Sequence, residues 1–353
     1  MGTAKVRNYK YDNIRFFLIY LVVLCHLLGE LSGSNITAVY KIVYSFHMPA
    51  FLFLSGYFAK FNGRKLVTNF MLPYVIFQIL YKLFNYYVTG FSKKLVLEFT
   101  YPKYVLWYLF VLIIYYLLIP LFSSFKGKER MVALVITLVI SLIVGFDTSN
   151  ENPAIFRACS FLPFFFSGYY IGHPTDEDLV TYNRFYALFG RVDLDENSLP
   201  KNSLFKSFSL DKLRLIIGLI LALFAMASSY IVLHCHITKT MLYAKKSYAD
   251  AGYNPAIKLL IMLIATIWIA LIFIAFQNKK LPIVSSIGSR TLAIFILHGF
   301  VVKYLRYIGF FHYSQNVNLI LAMVVALALL LILGLRKVHS AFTYVFCAGF
   351  IKK

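Results

Sequence analysis

Apolar residues gather along the chain into about ten runs of roughly 16–22 residues, divided by short polar segments, which is the length a helix needs to cross a bilayer. The runs fall near 14–30, 39–60, 67–88, 104–122, 131–146, 155–172, 213–234, 256–276, 290–308 and 316–335. Continuous runs of this kind predict helices, because the strands of a membrane barrel alternate with a period of two. The expected fold is an all-α integral membrane protein, a polytopic bundle of about ten transmembrane helices forming one domain over 1–353. The sizeable polar insert, about 173–212, opens with Asp176, Glu177 and Asp178 and passes through Pro200. It is expected to cover one face of the bundle, as short surface helices or as a disordered segment.

The first run places polar groups inside the hydrocarbon. It reads YDNIRFFLIYLVVLCH from Tyr11 to His26. On a helix, the 11-residue step from Arg15 to His26 is three turns plus about 20°, so both side chains share a face roughly 16 Å apart along the axis. Asp12 lies one turn before Arg15, within pairing distance. Glu30 lies one turn beyond His26 and about 40° off its face. An ionisable group within a span is costly and by default marks a functional site, the alternative being a structural histidine bonded to a neighbouring helix.

Three further runs are less purely apolar. The second, SFHMPAFLFLSGYFAKFNGRK, holds His47, then Pro49, which permits a bend, and the small-residue phrase Ser55-Gly56-Tyr57. Lys60, Arg64 and Lys65 follow; they read as membrane anchors or as a phosphate clamp. The sixth, IFRACSFLPFFFSGYYIG, carries Arg157 at its start, and its PFFFSGYYIG echoes PAFLFLSGYF without amounting to a repeat. The ninth opens SSIGSRTLAIFILHGF, where Ser289 is expected to cap the helix, Arg290 to sit in its first turn and His298 to lie about two turns deeper.

Composition fixes the class: 60% hydrophobic and only 14% charged, against roughly 25% charged in soluble domains. The formal charge of +21 is not a nucleic-acid signal, since the basic residues cluster at span ends, where anionic lipid headgroups and orientation account for them. Lys5, Arg7, Lys10 and Arg15, then Lys60, Arg64 and Lys65, then Lys126, Lys128 and Arg130, the 173–212 insert, Lys279 and Lys280, and Lys352 and Lys353 fall on one side of an even-numbered bundle. Both termini are therefore expected in the cytoplasm. The 147–154 loop on the other side has no Lys or Arg, whereas Lys93, Lys94, Lys245 and Lys246 there run against the bias. The first run lacks a small-x-small cleavage site and reads as a membrane helix, not a signal peptide. Cys25, Cys159, Cys235 and Cys347 show no paired spacing and read as buried small hydrophobes. His234-Cys235-His236 is no metal site, because i, i+2 side chains diverge on a helix and no carboxylate is near.

Taken together in order, these phrases resemble the acyltransferase-3 family of membrane O-acyltransferases, and within it the fucose 4-O-acetylase-like and surface-polysaccharide O-acetyltransferase branch. The family's mark is a basic residue, ten intervening residues and a histidine, often with a preceding aspartate, matched by Arg15, His26 and Asp12. A phrase like FHMPLFFFISGY is matched by Phe46-His47-Met48-Pro49 and Leu54-Ser55-Gly56-Tyr57, an arginine before a proline-phenylalanine run by Arg157 and Pro163-Phe164-Phe165, and a late IYLLH by Ile294-Phe295-Ile296-Leu297-His298. The departures are Cys25 before the histidine, Phe295 for the usual tyrosine, and no extracellular SGNH domain, which places all transfer chemistry in the membrane domain.

The resemblance implies transfer of an acyl group, usually acetyl, from acetyl-CoA as co-substrate to a carbohydrate hydroxyl, with no tightly bound cofactor and no metal. The coenzyme is a cytosolic polyanion, so its phosphates would meet Arg15, Lys60, Arg64 and Lys65, with Ser55 alongside. His26 is the expected general base, its ordinary pKa near 6.5 suiting proton transfer at neutral pH. Arg15, Asp12, Glu30 and His47 complete the catalytic candidates; His47 would orient the base, bind the acceptor or stabilise an oxyanion. Trp107, Arg157 and His298 join His47 as acceptor candidates, for a glycan or lipid-linked saccharide. The expected location is a bacterial plasma membrane, with membrane lipids as partners. The alternative activity is a transporter or flippase of a lipid-linked saccharide, its path lined by Arg15, His26 and Arg157. A purely structural subunit leaves the three intramembrane histidines unexplained.

Overall fold

The computed structural model describes residues 7–91, 96, 98–149, 152–176, 178 and 210–347. Most of the polar insert, with Glu177, and also Lys5, Lys93, Lys94, Lys352 and Lys353, lie outside the described residues. Among the described residues all regular structure is helical: α1 Tyr9–Leu28, α2 Ser34–Tyr44, α3 His47–Phe58, α4 Gly63–Leu66, α5 Leu72–Val88, α6 Trp107–Ser124, α7 Lys128–Ile143, α8 Pro153–Gly172 and α9 Leu210–His234. The rest of the chain forms α10 Lys239–Tyr243, α11 Tyr248–Ala251, α12 Pro255–Ala275, α13 Pro282–Gly288, α14 Thr291–Tyr307, α15 Gln315–Leu333 and α16 Arg336–Phe346. Nine stretches in the described residues are long and apolar enough to span a membrane, and the bent pair α13–α14 makes a tenth. The protein is an all-α polytopic membrane protein.

The helix ends follow local chemistry. The Asn8 side chain accepts from the Lys10 N–H (3.0 Å) and starts α1 five residues earlier than the apolar run, which brings Asp12 inside the helix. At the other end α1 stops at Leu28, with Gly29 as its cap, so Glu30 stands in a turn and the helical projection that put it near the His26 face is corrected. The second span is broken before His47, not at Pro49. The Ser45 hydroxyl donates to the Ile42 carbonyl (2.7 Å), and Pro49 sits in the first turn of α3, where no intrahelical N–H is needed. The third span is continuous through a π-helical stretch at Val67–Met71.

The ninth span keeps its expected bounds in α14, Thr291–Tyr307 against 290–308, but its opening differs. The short helix α13 precedes it, and the two meet at 83°. Ser289 ends α13 and donates to the Ser286 carbonyl (2.8 Å) without capping α14, and Arg290 turns back on Ser286 instead of joining the first turn of α14. The reason is packing: Gly288 lies so close to the Asp12 backbone that no side chain fits there, which fixes α13 across α1. The following short amphipathic helix, α16, has no counterpart among the expected spans. Its Phe342 stacks on Phe77 of α5, and Phe346 packs against the same ring at a tilt.

Helix α1 is the central element, packed on α3, α13, α14 and α15. The closest helix pair is α3 with α8. Here the two SGY phrases, too weak a likeness to make a repeat, lie against each other. A Cβ on Gly56 would strike the Phe165 carbonyl, and one on Gly168 the Phe53 carbonyl. Small residues let the two backbones touch, the means by which helices associate where lipid offers no hydrophobic drive. The Leu215, Leu219 and Leu223 side of α9 is exposed, as a lipid-facing surface should be.

Candidate active site

His26 reaches its place because α1 is buried on nearly all sides while its ring remains only partly covered. Two rings converge on it: His298 of α14, at 5.2 Å between centroids, and Tyr104, at 4.9 Å. His298 is fully buried and its Nδ1–H donates to the Ile294 carbonyl one turn back (2.9 Å). That bond occupies Nδ1 and leaves Nε2 as the ring's other polar atom, buried without a partner. The Tyr104 hydroxyl is likewise buried without a partner. Tyr104 has φ +52°, a left-handed conformation costly for a bulky residue, which tertiary contacts must hold in place. Buried polar atoms without partners are rare, because each forfeits its hydrogen bonds to water. Two of them, on rings packed against one partly covered imidazole, mark a place for a polar ligand.

Arg306, near the end of α14, braces this group. It donates Nη1 to Glu30 (2.6 Å) and Nη2 to the His26 carbonyl. The Glu30 carboxylate is thus held by a guanidinium, with 69% of its side chain exposed.

A second cluster adjoins the first, and His26 lies within electrostatic range of His47 and Arg157. The Arg157 guanidinium lies 4.5 Å over Trp107 and donates Nε–H to the Tyr243 carbonyl (3.1 Å). No carboxylate among the described residues pairs with it. His47 is buried, donates Nδ1–H to the Val43 carbonyl (2.9 Å) and packs edge-on to Tyr44. Basic side chains continue onto the adjoining surface, with Lys239 over Tyr40 and Lys245 over Tyr243. Burial, then the charges of Arg157 and Lys246, push the Lys245 ammonium below its ordinary range.

Arg15 occupies the opposite end of α1. It pairs with Asp12 (3.2 Å), which also binds Arg7 (2.7 Å), and its guanidinium lies 4.4 Å over Phe58. Near it the Ser55 and Tyr108 hydroxyls hydrogen-bond (2.6 Å), and Tyr108 is close enough to interact with the Arg15 charge. Lys60, Arg64 and Lys65 follow α3 on this same end, exposed and without a carboxylate partner among the described residues. The sequence-predicted residues therefore fall in two groups: His26, Glu30, His47, Trp107, Arg157 and His298 toward one face, and Asp12, Arg15, Ser55, Lys60, Arg64 and Lys65 toward the other.

Residues 8–335 match the family model described as an acyltransferase domain, which is most of the chain. The chain belongs to this acyltransferase family. Over 72 residues it is 39% identical to the nodulation protein NolL of Sinorhizobium fredii, an alignment spanning 19% of each protein. No solved structure matches. The chain is thus a multi-pass membrane member of that family, and it aligns with less than a fifth of the curated relative's length.

For an acyltransferase the two-ended arrangement is chemically apt. Acyl transfer needs a proton acceptor beside the attacking hydroxyl and a donor for the charge that develops on the acyl oxygen. Tyr104, Arg306 and Tyr108 were not singled out from sequence. Arg306 reads as an ordinary basic span end, and Tyr104 and Tyr108 are two among 27 tyrosines.

Proposed function

We propose that this acyltransferase carries acetyl from cytosolic acetyl-CoA to a hydroxyl of a cell-surface or lipid-linked glycan, like the O-acetyltransferases of fucose and surface polysaccharides. The observation that carries this reading is the His26 ring set beside the unpartnered Tyr104 hydroxyl and His298 Nε2. His26 takes the proton from the acceptor hydroxyl as that oxygen attacks the thioester carbonyl carbon. The Tyr104 hydroxyl donates to the oxygen that becomes negative. The C–S bond then breaks, and the coenzyme thiolate leaves with the proton held by His26. The acyl group thereby passes from sulfur to the glycan oxygen. Arg157 and Trp107 hold the acceptor, the guanidinium suiting a lipid-linked phosphate and the indole a sugar face. His47 and the Lys239 and Lys245 side chains extend that contact, and His298 orients the hydroxyl through Nε2. Glu30 acts through Arg306 as a positioning residue.

The donor enters at the Arg15 end, which we place in the cytoplasm of a bacterial cell. Asp12 holds the Arg15 guanidinium in place, and Ser55, Lys60, Arg64 and Lys65 take part in binding the coenzyme. Mass spectrometry of surface glycans with and without the protein tests the reading: loss of one acetyl unit is expected, whereas loss of the entire glycan from the surface points to transport.

Two further outcomes follow. Cysteines introduced at 149 and 313 should be labelled from outside intact cells by an impermeant reagent, and those at 63 and 127 should not; the reverse pattern inverts the orientation. Arg64→Gln with Lys65→Gln should weaken acetyl-CoA binding by about 1.5–3 kcal/mol for each charged hydrogen bond lost. Unchanged affinity at fixed salt returns these two to the role of membrane anchors.

A further inference from the structure

On the face where α1 begins, helices α13 and α16 enclose a cavity of about 700 Å³ beside the first turn of α1. Its lining includes Arg7, Lys280, Arg290, Arg336 and His339, and no carboxylate. Arg7 pairs with Asp12, a carboxylate it shares with Arg15, and Lys280 lies 5.8 Å over the Tyr9 ring. Among the described residues neither Lys280, Arg290 nor Arg336 pairs with an acid.

Arg290 separates this cavity from a row of ordinary basic anchors. An anchoring arginine extends toward water or headgroups. Arg290 instead folds back, donating Nε–H to the Ser286 carbonyl (2.9 Å) and Nη2–H to the Ser286 hydroxyl (2.8 Å). Its Nη1 is left buried with no partner, and so is Nδ1 of His339, which also lines the cavity. Burial, then the Arg290 charge, pushes His339 below the usual histidine range. Cations gathered around a cavity, with a guanidinium N–H group fixed and unsatisfied, suit an anion. Guanidinium forks match the oxygens of phosphate.

We propose that this cavity is a second anion site, distinct from the Arg15–Ser55 face, that binds a phosphate group between Arg290 and Arg336. The phosphate comes either from the nucleotide end of coenzyme A, a case that rests on the donor reading above, or from an anionic lipid headgroup. The lipid source is geometrically open as well, because α16 exposes Tyr344 and Val345 beside the cavity's polar side.

The test uses the full chain in nanodiscs, comparing wild type with the Arg290→Gln/Arg336→Gln double variant. In zwitterionic phosphatidylcholine, coenzyme A and its dephospho form, which lacks the 3′-phosphate, are titrated in turn. In mixed phosphatidylcholine and phosphatidylglycerol discs, retained phosphatidylglycerol is counted by native mass spectrometry. If the nucleotide phosphate fills the site, wild type prefers coenzyme A about tenfold, the worth of roughly one charged contact, and the variant loses the preference. If the headgroup fills it, any preference is the same in wild type and variant, and the variant releases phosphatidylglycerol that wild type retains. A folded variant that changes neither readout overturns the site. Should wild type bind neither coenzyme form, the donor reading fails and the lipid measurement alone decides the cavity. Ser340→Glu guards against misfolding of the double variant, since it adds a carboxylate at the exposed rim without removing a packed group, and it should give the same loss.

Discussion

His26→Ala is expected to slow acetyl transfer by about 10²–10⁴-fold, the usual cost of losing a general base, while acetyl-CoA affinity stays within a few-fold of wild type. The split follows from the layout of α1. The phosphates of the donor would be held near Arg15, three helical turns or roughly 16 Å from His26. Removing the imidazole therefore leaves the charged contacts of the donor intact. The ring also packs against Tyr104 and His298, so its loss opens a small space between them. A melting curve on the same preparation separates that effect from catalysis. Should the purified variant in lipid transfer acetyl within about threefold of wild type, the general-base role fails, being far below the range for such a group. Should it melt out instead, His26 is a packing residue.

The second large effect is structural and lies at the α3–α8 crossing. Gly56→Ala and Gly168→Ala each place a Cβ inside contact distance of a backbone carbonyl on the facing helix, Phe165 and Phe53 respectively. A side-chain neighbour could rotate away, but a helix backbone has to shift as a body. Overpacking typically costs about 1–3 kcal/mol, and rigid neighbours on both sides put these substitutions at the upper end. Gly63→Ala provides the comparison, because a Cβ there meets nothing within 4 Å. Thermal melting of the three purified variants should show Gly63→Ala close to wild type and the other two well below it. Equal melting of all three would mean that α3 and α8 part without cost. The separation would also pull Ser55 away from Tyr108, so weakened donor binding should accompany the loss of stability if the Arg15 end holds the donor.

Much of this protein was legible without coordinates, and the reason is that helices in lipid must satisfy their own backbones. That requirement makes each span a long, continuous apolar run, so class and span number follow from residue order alone. The same local regularity set Arg15 and His26 on one helix at a known separation and put Asp12 within reach of Arg15. Intramembrane His47, Arg157 and His298 stood out because polar groups are rare in such runs. Residue order did not determine which of them meet. His298 comes to His26 because α14 packs along α1, beside α13 seated on it at Gly288, contacts between segments more than 270 residues apart. Tyr104 becomes a site residue through a backbone conformation that no tyrosine prefers by itself. Arg306 and Glu30, both span-end charges in the sequence, become a brace across two helices once α14 lies beside α1. Periodicity reports how much of a helix is buried; which neighbour it is buried against is decided by close packing of the whole bundle.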